Sequence, residues 1–199
     1  YDKQRIYQED CQAALCDDFS QLFSNGSHSD VELICGEKAF ACHKSILAAR
    51  SPVFEAMFQV DMEEKKENKV EIKDFSPEVI ENMLQFIYCA KIPSKSSLKK
   101  EDSRDQISEL LKAADQYDVD LLKVACDEIL CVSLSVENCL VSLIIADMYQ
   151  AEKLKKRSMK MLVENMRTVI TKNSEDWKKC VKSHPDLTFE ITEELSKRL

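Results

Sequence analysis

Residues 30–58, DVELICGEKAFACHKSILAARSPVFEAMF, decide the fold. Val31, Leu33 and Cys35 alternate with Glu32 and Ile34, and Gly36-Glu37 separates this run from a second short one, Lys38 to Cys42. Period-two alternation broken by a glycine turn predicts a β-hairpin. From Ile46, Leu47 and Ala49 the apolar positions take helical spacing. Ser51-Pro52 then restarts a second helix with a hydroxyl cap and a proline at the first helical position. Val53, Phe54, Met57 and Phe58 give that helix an apolar face.

Working outward, Leu15, Phe19 and Leu22 recur at steps of four and three, one apolar stripe on a helix over 11–23 that Asn25-Gly26 ends. After Phe58 the run VDMEEKKENK is too charged for a core and reads as a surface connection. Val70 and Ile72 alternate with charged residues as a short strand, and Ser76-Pro77 opens a helix with Val79, Ile80, Met83, Leu84 and Ile87 inward, closing at Tyr88. Residues 91–105, KIPSKSSLKKEDSRD, offer almost nothing to bury and read as an extended, mobile loop. Two helices follow, one burying Ile107, Leu110, Leu111 and Ala114, the other Leu121, Leu122, Ala125 and Ile129, with a turn near Tyr117-Asp118. Beyond them Ser135 is expected to cap a helix with Val136, Cys139, Leu140, Leu143 and Ile144 inward. Leu154, Met161 and Leu162 mark another, and two short helices fit the tail on either side of His184-Pro185.

Length and composition set bounds on function. At 199 residues and 44% hydrophobic, the chain can bury a sizeable core. No apolar run approaches the roughly 20 residues of a membrane span, so no membrane partner is expected. The opening YDKQRIY does not read as a signal peptide. A formal net charge of -8 argues against a nucleic-acid partner, because binding a phosphate backbone needs clustered positive charge. The one basic cluster, Lys153, Lys155, Lys156, Arg157 and Lys160, reads as the solvated face of a helix. The 9 cysteines are scattered and without CxxC spacing, which favours reduced, buried thiols in a nuclear or cytoplasmic protein over disulfides or zinc.

Catalysis finds no constellation. A Ser/His or Cys/His hydrolase needs a nucleophile on a sharp turn and backbone room for an oxyanion hole, yet the chain has 2 glycines in all. Phosphate-binding loops fail for the same reason. No catalytic residue, cofactor or metal site is expected, and His43 reads as a satisfied core or rim residue.

The wording SDV…G…FACHK running into SILAARSPVFEAMF resembles the BTB/POZ domain, and HKSILAARSPVFEAMF is similar to the speckle-type group, the MATH-BTB adaptors of cullin-3. That resemblance implies an α+β BTB/POZ fold, a small β-sheet flanked by α-helices, over residues 1–131. An all-α three-box/BACK helical extension over 132–199 would follow it. It implies a homodimer whose interface is matched here by Leu15, Phe19, Leu22 and Ile46, and a charge pair between Asp30 and Lys44 near the dimer seam. It also implies that Met62 and Glu64 match a hydrophobic-x-Glu motif that engages the N-terminal domain of cullin-3, Met62 as adaptable apolar anchor and Glu64 as orienting charge. The protein would then be a substrate adaptor of a cullin-3 RING ubiquitin ligase, its substrate held by a MATH-like domain upstream or by a separate receptor. The alternatives are a BTB homodimerisation scaffold or co-repressor module, and, from another class, a redox-regulated enzyme using one of the cysteines.

The chain departs from the family at three places. Cys89-Ala90 stands where the family has a Thr-Gly turn, the 91–105 loop is longer by about eight residues, an insertion that costs little in an exposed loop, and Thr192 replaces a tyrosine that supports a second self-association surface.

Overall fold

Along β1 (Val31–Cys35) the residues Val31, Leu33 and Cys35 are buried while Glu32 and Ile34 are only partly covered, the alternation a one-sided strand requires. The computed structural model describes residues 2–59, 68–92 and 103–197. β2 (Lys38–Cys42) pairs antiparallel with β1, Val31 opposite Cys42 and Cys35 opposite Lys38. β3 (Lys69–Ile72) lies parallel on the other side, Leu33 opposite Val70, giving the order β2-β1-β3. The hairpin turns at Gly36, whose φ of +58° a side chain would resist.

Helices cover this sheet in the first of two compact units, Tyr1–Leu122. α1 (Asp2–Asn25) is longer than the expected 11–23 and stops at Gly26, which has φ +61° and sits so close to β2 that a Cβ there would meet Ala41 Cβ at 3.0 Å. α2 (Lys44–Arg50) and α3 (Pro52–Gln59) are divided by Ser51. Its hydroxyl accepts from Phe54 N–H at 3.2 Å, as a cap should, and also donates to the Tyr117 carbonyl. Phe54 stacks on Tyr117 at 4.8 Å. α4 (Pro77–Cys89) is capped by Ser76 and buries Val79, Ile80, Met83, Leu84, Ile87 and more besides. At about 1.5–3 kcal/mol for each such side chain, it is the helix on which this unit depends most. α5 (Ser103–Gln116) buries Ile107, Leu110, Leu111 and Ala114 as expected, and it begins inside the stretch assigned to the 91–105 loop. Residues 93–102 of that loop lie outside the described residues.

The unit boundary falls inside α6 (Asp120–Val132), at Leu122/Lys123. Here the sequence reading was out of phase. Leu122, Cys126 and Leu130 are buried, whereas Leu121 is 62% exposed and Ala125 and Ile129 are only partly covered. Either leucine of the pair could have begun the stripe, and Cys126, small and apolar, sets the true phase.

The second unit, Lys123–Leu199, is all helix in its described regular structure. α7 (Cys139–Met148) starts later than expected, because Val136 to Asn138 form a turn. The Asn138 amide fixes that turn, accepting from Ser135 N–H at 2.9 Å and donating to the Ser133 carbonyl at 3.0 Å, so Ser135 does not cap a helix. α7 packs on α8 (Glu152–Glu164), followed by α9 (Met166–Lys172), α10 (Ser174–Ser183) and α11 (Pro185–Ser196). Cys139, Leu140, Leu143, Leu162, Cys180 and Ile191 are the centre of its core. Thr192 is exposed on α11, its hydroxyl donating to the Thr188 carbonyl.

Candidate self-association surface

α1 leaves its apolar stripe largely uncovered. One side of the helix packs on α4, where the Phe23 and Tyr88 rings lie 4.9 Å apart. Leu15 nevertheless stays 55% exposed, and Phe19, Leu22 and Ile46 are only half-buried. Leu15, Phe19 and Ile46, with Ala49, Ile87 and Arg50, border a mainly apolar hollow of about 390 Å³. Three of the four expected interface residues are thus brought together around one cavity. Leu22 lies on the same stripe of α1, one turn further along, but does not line it.

Asp30 and Lys44 do meet, though not as the expected charge pair. The Asp30 carboxylate accepts from the Lys44 backbone N–H at 2.8 Å, which ties the end of β1 to the first turn of α2. The Lys44 ammonium instead donates to the Asn68 side-chain oxygen and lies 5.9 Å from the centre of the Phe58 ring. Asp30 is exposed, and a free N–H at a helix start attracts a carboxylate as well as an ammonium does. Met62 and Glu64 lie outside the described residues.

His43 is buried and fully engaged. Its Nε2 faces the Ser27 carbonyl at 2.8 Å and must carry the proton, so Nδ1 accepts from the Tyr88 hydroxyl at 2.8 Å. The same hydroxyl accepts from His43 N–H at 2.9 Å. Burial, aided by the neighbouring Cys42 thiol, pushes the Tyr88 hydroxyl above its ordinary value of 10.0.

The thiols have the chemistry of core residues. Cys35, Cys42, Cys89, Cys126, Cys131, Cys139 and Cys180 are buried, while Cys16 is partly covered and Cys11 exposed. Burial pushes Cys42 and Cys126 up to about 12, the opposite of what activates a thiolate nucleophile. Among the described residues no group of three His, Cys, Asp or Glu could hold a metal ion. The basic cluster on α8 is matched by acids: Lys153 meets Glu128, Lys156 meets Glu152, and Lys155 bridges Asp147 and Glu190 at 2.7 and 2.9 Å. A phosphate backbone would have to compete with each of these partners.

Sequence reasoning overlooked two features. Arg50 borders the hollow, and Asp18 shares the α1 stripe, a placement its spacing of three from Leu15 and four from Leu22 would have revealed. Val141 and Met148 are exposed on one side of α7, at 45% and 53%, with the partly covered Ile145 between them. Ile144, expected inward, is partly covered and packs against the core formed by Cys139, Leu140 and Leu143.

The chain is 40% identical over 173 residues to TD and POZ domain-containing protein 5 of Mus musculus, a match covering 87% of this chain and 48% of that protein. It thus spans about half the length of that curated relative. Among solved structures it is similar to the BTB domain of zebrafish PATZ1, 27% identical, covering 61% of this chain and 92% of that one with a TM-score of 0.48. The profile of the BTB/POZ domain matches residues 19–134, more than half of the chain, with the whole sheet, the end of α1 and helices α2 to α6, and the chain therefore belongs to the BTB/POZ domain family.

Proposed function

We propose that this chain is a self-associating scaffold, a homodimeric BTB/POZ module that holds other proteins together and is joined through Leu15, Phe19, Leu22 and Ile46. A BTB/POZ domain is a protein-interaction module and not an enzyme. The observation that supports dimerisation is the hollow bordered by Leu15, Phe19 and Ile46 on an otherwise well-packed unit. Leaving such a patch wet is unfavourable, and burying each side chain in it contributes about 1.5–3 kcal/mol. Leu15→Asp with Leu22→Asp is expected to convert a micromolar dimer into a monomer of unchanged helicity. A double variant that still sediments as a dimer places the interface elsewhere.

A second, finer reading is the cullin-3 substrate adaptor, with substrate supplied through a MATH-like domain or a separate receptor. The exposed Val141 and Met148 on α7 support it, since an adaptor needs apolar surface for its partner to cover. Calorimetric titration with the N-terminal domain of cullin-3 tests it. Binding that Met62→Ala weakens by roughly thirtyfold, as the loss of a central apolar anchor would, favours the adaptor. No heat at tens of micromolar leaves the scaffold or co-repressor reading alone.

A further inference from the structure

The α1 stripe is not purely apolar. Asp18 is exposed, one turn from both Leu15 and Leu22, so any partner covering the stripe covers its carboxylate as well. Asp17, by contrast, faces Lys91 at 3.5 Å. Arg50 ends α2 at the border of the hollow, exposed, with its guanidinium 5.9 Å from the centre of the Phe86 ring. Among the described residues, neither Asp18 nor Arg50 lies within ion-pair distance of an opposite charge.

We propose that self-association is charge-matched, Asp18 of one copy pairing with Arg50 of a second. The proposal rests on the self-association reading above and names the contact that makes a second copy the right occupant. A carboxylate carried unpaired into a drying apolar interface opposes association, and so does a guanidinium. Covering the stripe and hollow with an uncharged apolar partner strands both. A second copy relieves both, because a two-fold interface is isologous and the same contact is made twice. Arg50 suits the task, its planar guanidinium resting on an aromatic face while its outer N–H groups stay free for a carboxylate. The pair also sets register, since copies that slide along α1 lose both contacts while keeping much of the apolar contact.

Charge reversal in the full 199-residue chain tests this, with the dimer dissociation constant read by sedimentation. Asp18→Arg and Arg50→Asp should each weaken the dimer by roughly tenfold or more, and the double variant should return to within about threefold of wild type. Asp18→Asn and Arg50→Gln, which introduce no like-charge repulsion, should weaken it less and remove most of its salt dependence. Single variants that associate as wild type, while Leu15→Asp with Leu22→Asp splits the dimer, overturn the pairing and leave the surface standing. The same holds if the single variants weaken association and the double variant does not recover it. Wild-type chain that is monomeric at about 100 µM overturns the surface and the pairing together.

Discussion

Ala90 is the position where side-chain identity and backbone disagree. It closes α4 in the left-handed region, φ +54°, its N–H bonded to the Phe86 carbonyl at 2.8 Å, the arrangement in which helices ordinarily place glycine. A Cβ there costs about 1–2 kcal/mol, while glycine in its place costs part of that back through a looser unfolded chain. Ala90 is exposed, so removing its methyl group opens no cavity. Ala90→Gly is therefore expected to raise stability by about 0.5–1 kcal/mol, seen as a higher urea midpoint at unchanged slope. No pattern in the residues themselves announces a positive φ at an alanine. The only sign in the sequence was the family's glycine at that place. Asp30 teaches the reverse: the partner was legible but the atom was not, because hydrogen-bond geometry at the start of α2 sends the carboxylate to Lys44 N–H and the ammonium to Asn68.

At the scale of elements, the start of α8 depends on a residue from another helix. Asp127 of α6 is buried, and its two carboxylate oxygens accept from Lys153 N–H at 3.0 Å and Leu154 N–H at 2.7 Å. Ala151, at the cap position, has no side chain that could do this. Two charge-assisted bonds to the positive end of a helix, both shielded from water, make Asp127→Ala costly by about 2–4 kcal/mol, whereas Asp127→Asn keeps one acceptor and should lose roughly half as much. Chemical denaturation followed by circular dichroism checks both values, and an Ala variant within a few tenths of wild type would show that water replaces the carboxylate. This cap was invisible in the sequence because 26 residues separate Asp127 from Lys153. The hairpin and the caps at Ser51 and Ser76 were legible because each is local. Glycine, proline, a hydroxyl and an apolar period act there within a few residues of one another. The phase of α6 and the start of α7 were misread where locality fails: a Leu121-Leu122 pair allows two stripes, and Asn138 outcompetes Ser135 only through bonds that need the folded turn.

Over the whole molecule, six thiols raised by burial, Cys35, Cys42, Cys126, Cys131, Cys139 and Cys180, and the buried Tyr88 and Tyr117 make stability depend on pH from the alkaline side. Burial holds Cys42 and Cys126 at about 12 against an ordinary 9.0, and Tyr117 at about 12 against 10.0. These groups are neutral when protonated and their folded values are raised. Their contribution is complete below pH 9.0 and is lost as pH rises toward 12, because the unfolded chain releases protons that the folded one retains. The melting temperature in reducing buffer should thus be level through neutral pH and fall steeply above about pH 9. The same burial governs reactivity. A thiol-specific reagent should label Cys11 and Cys16 quickly, Cys16 more slowly in the dimer, and reach the other seven only at the rate at which the chain opens. Mass spectrometry after a short pulse reads this position by position. Fast labelling of any buried thiol at neutral pH would reveal an activated thiolate and revive the redox-enzyme alternative, whereas labelling confined to α1 leaves the cysteines as core residues of an interaction module.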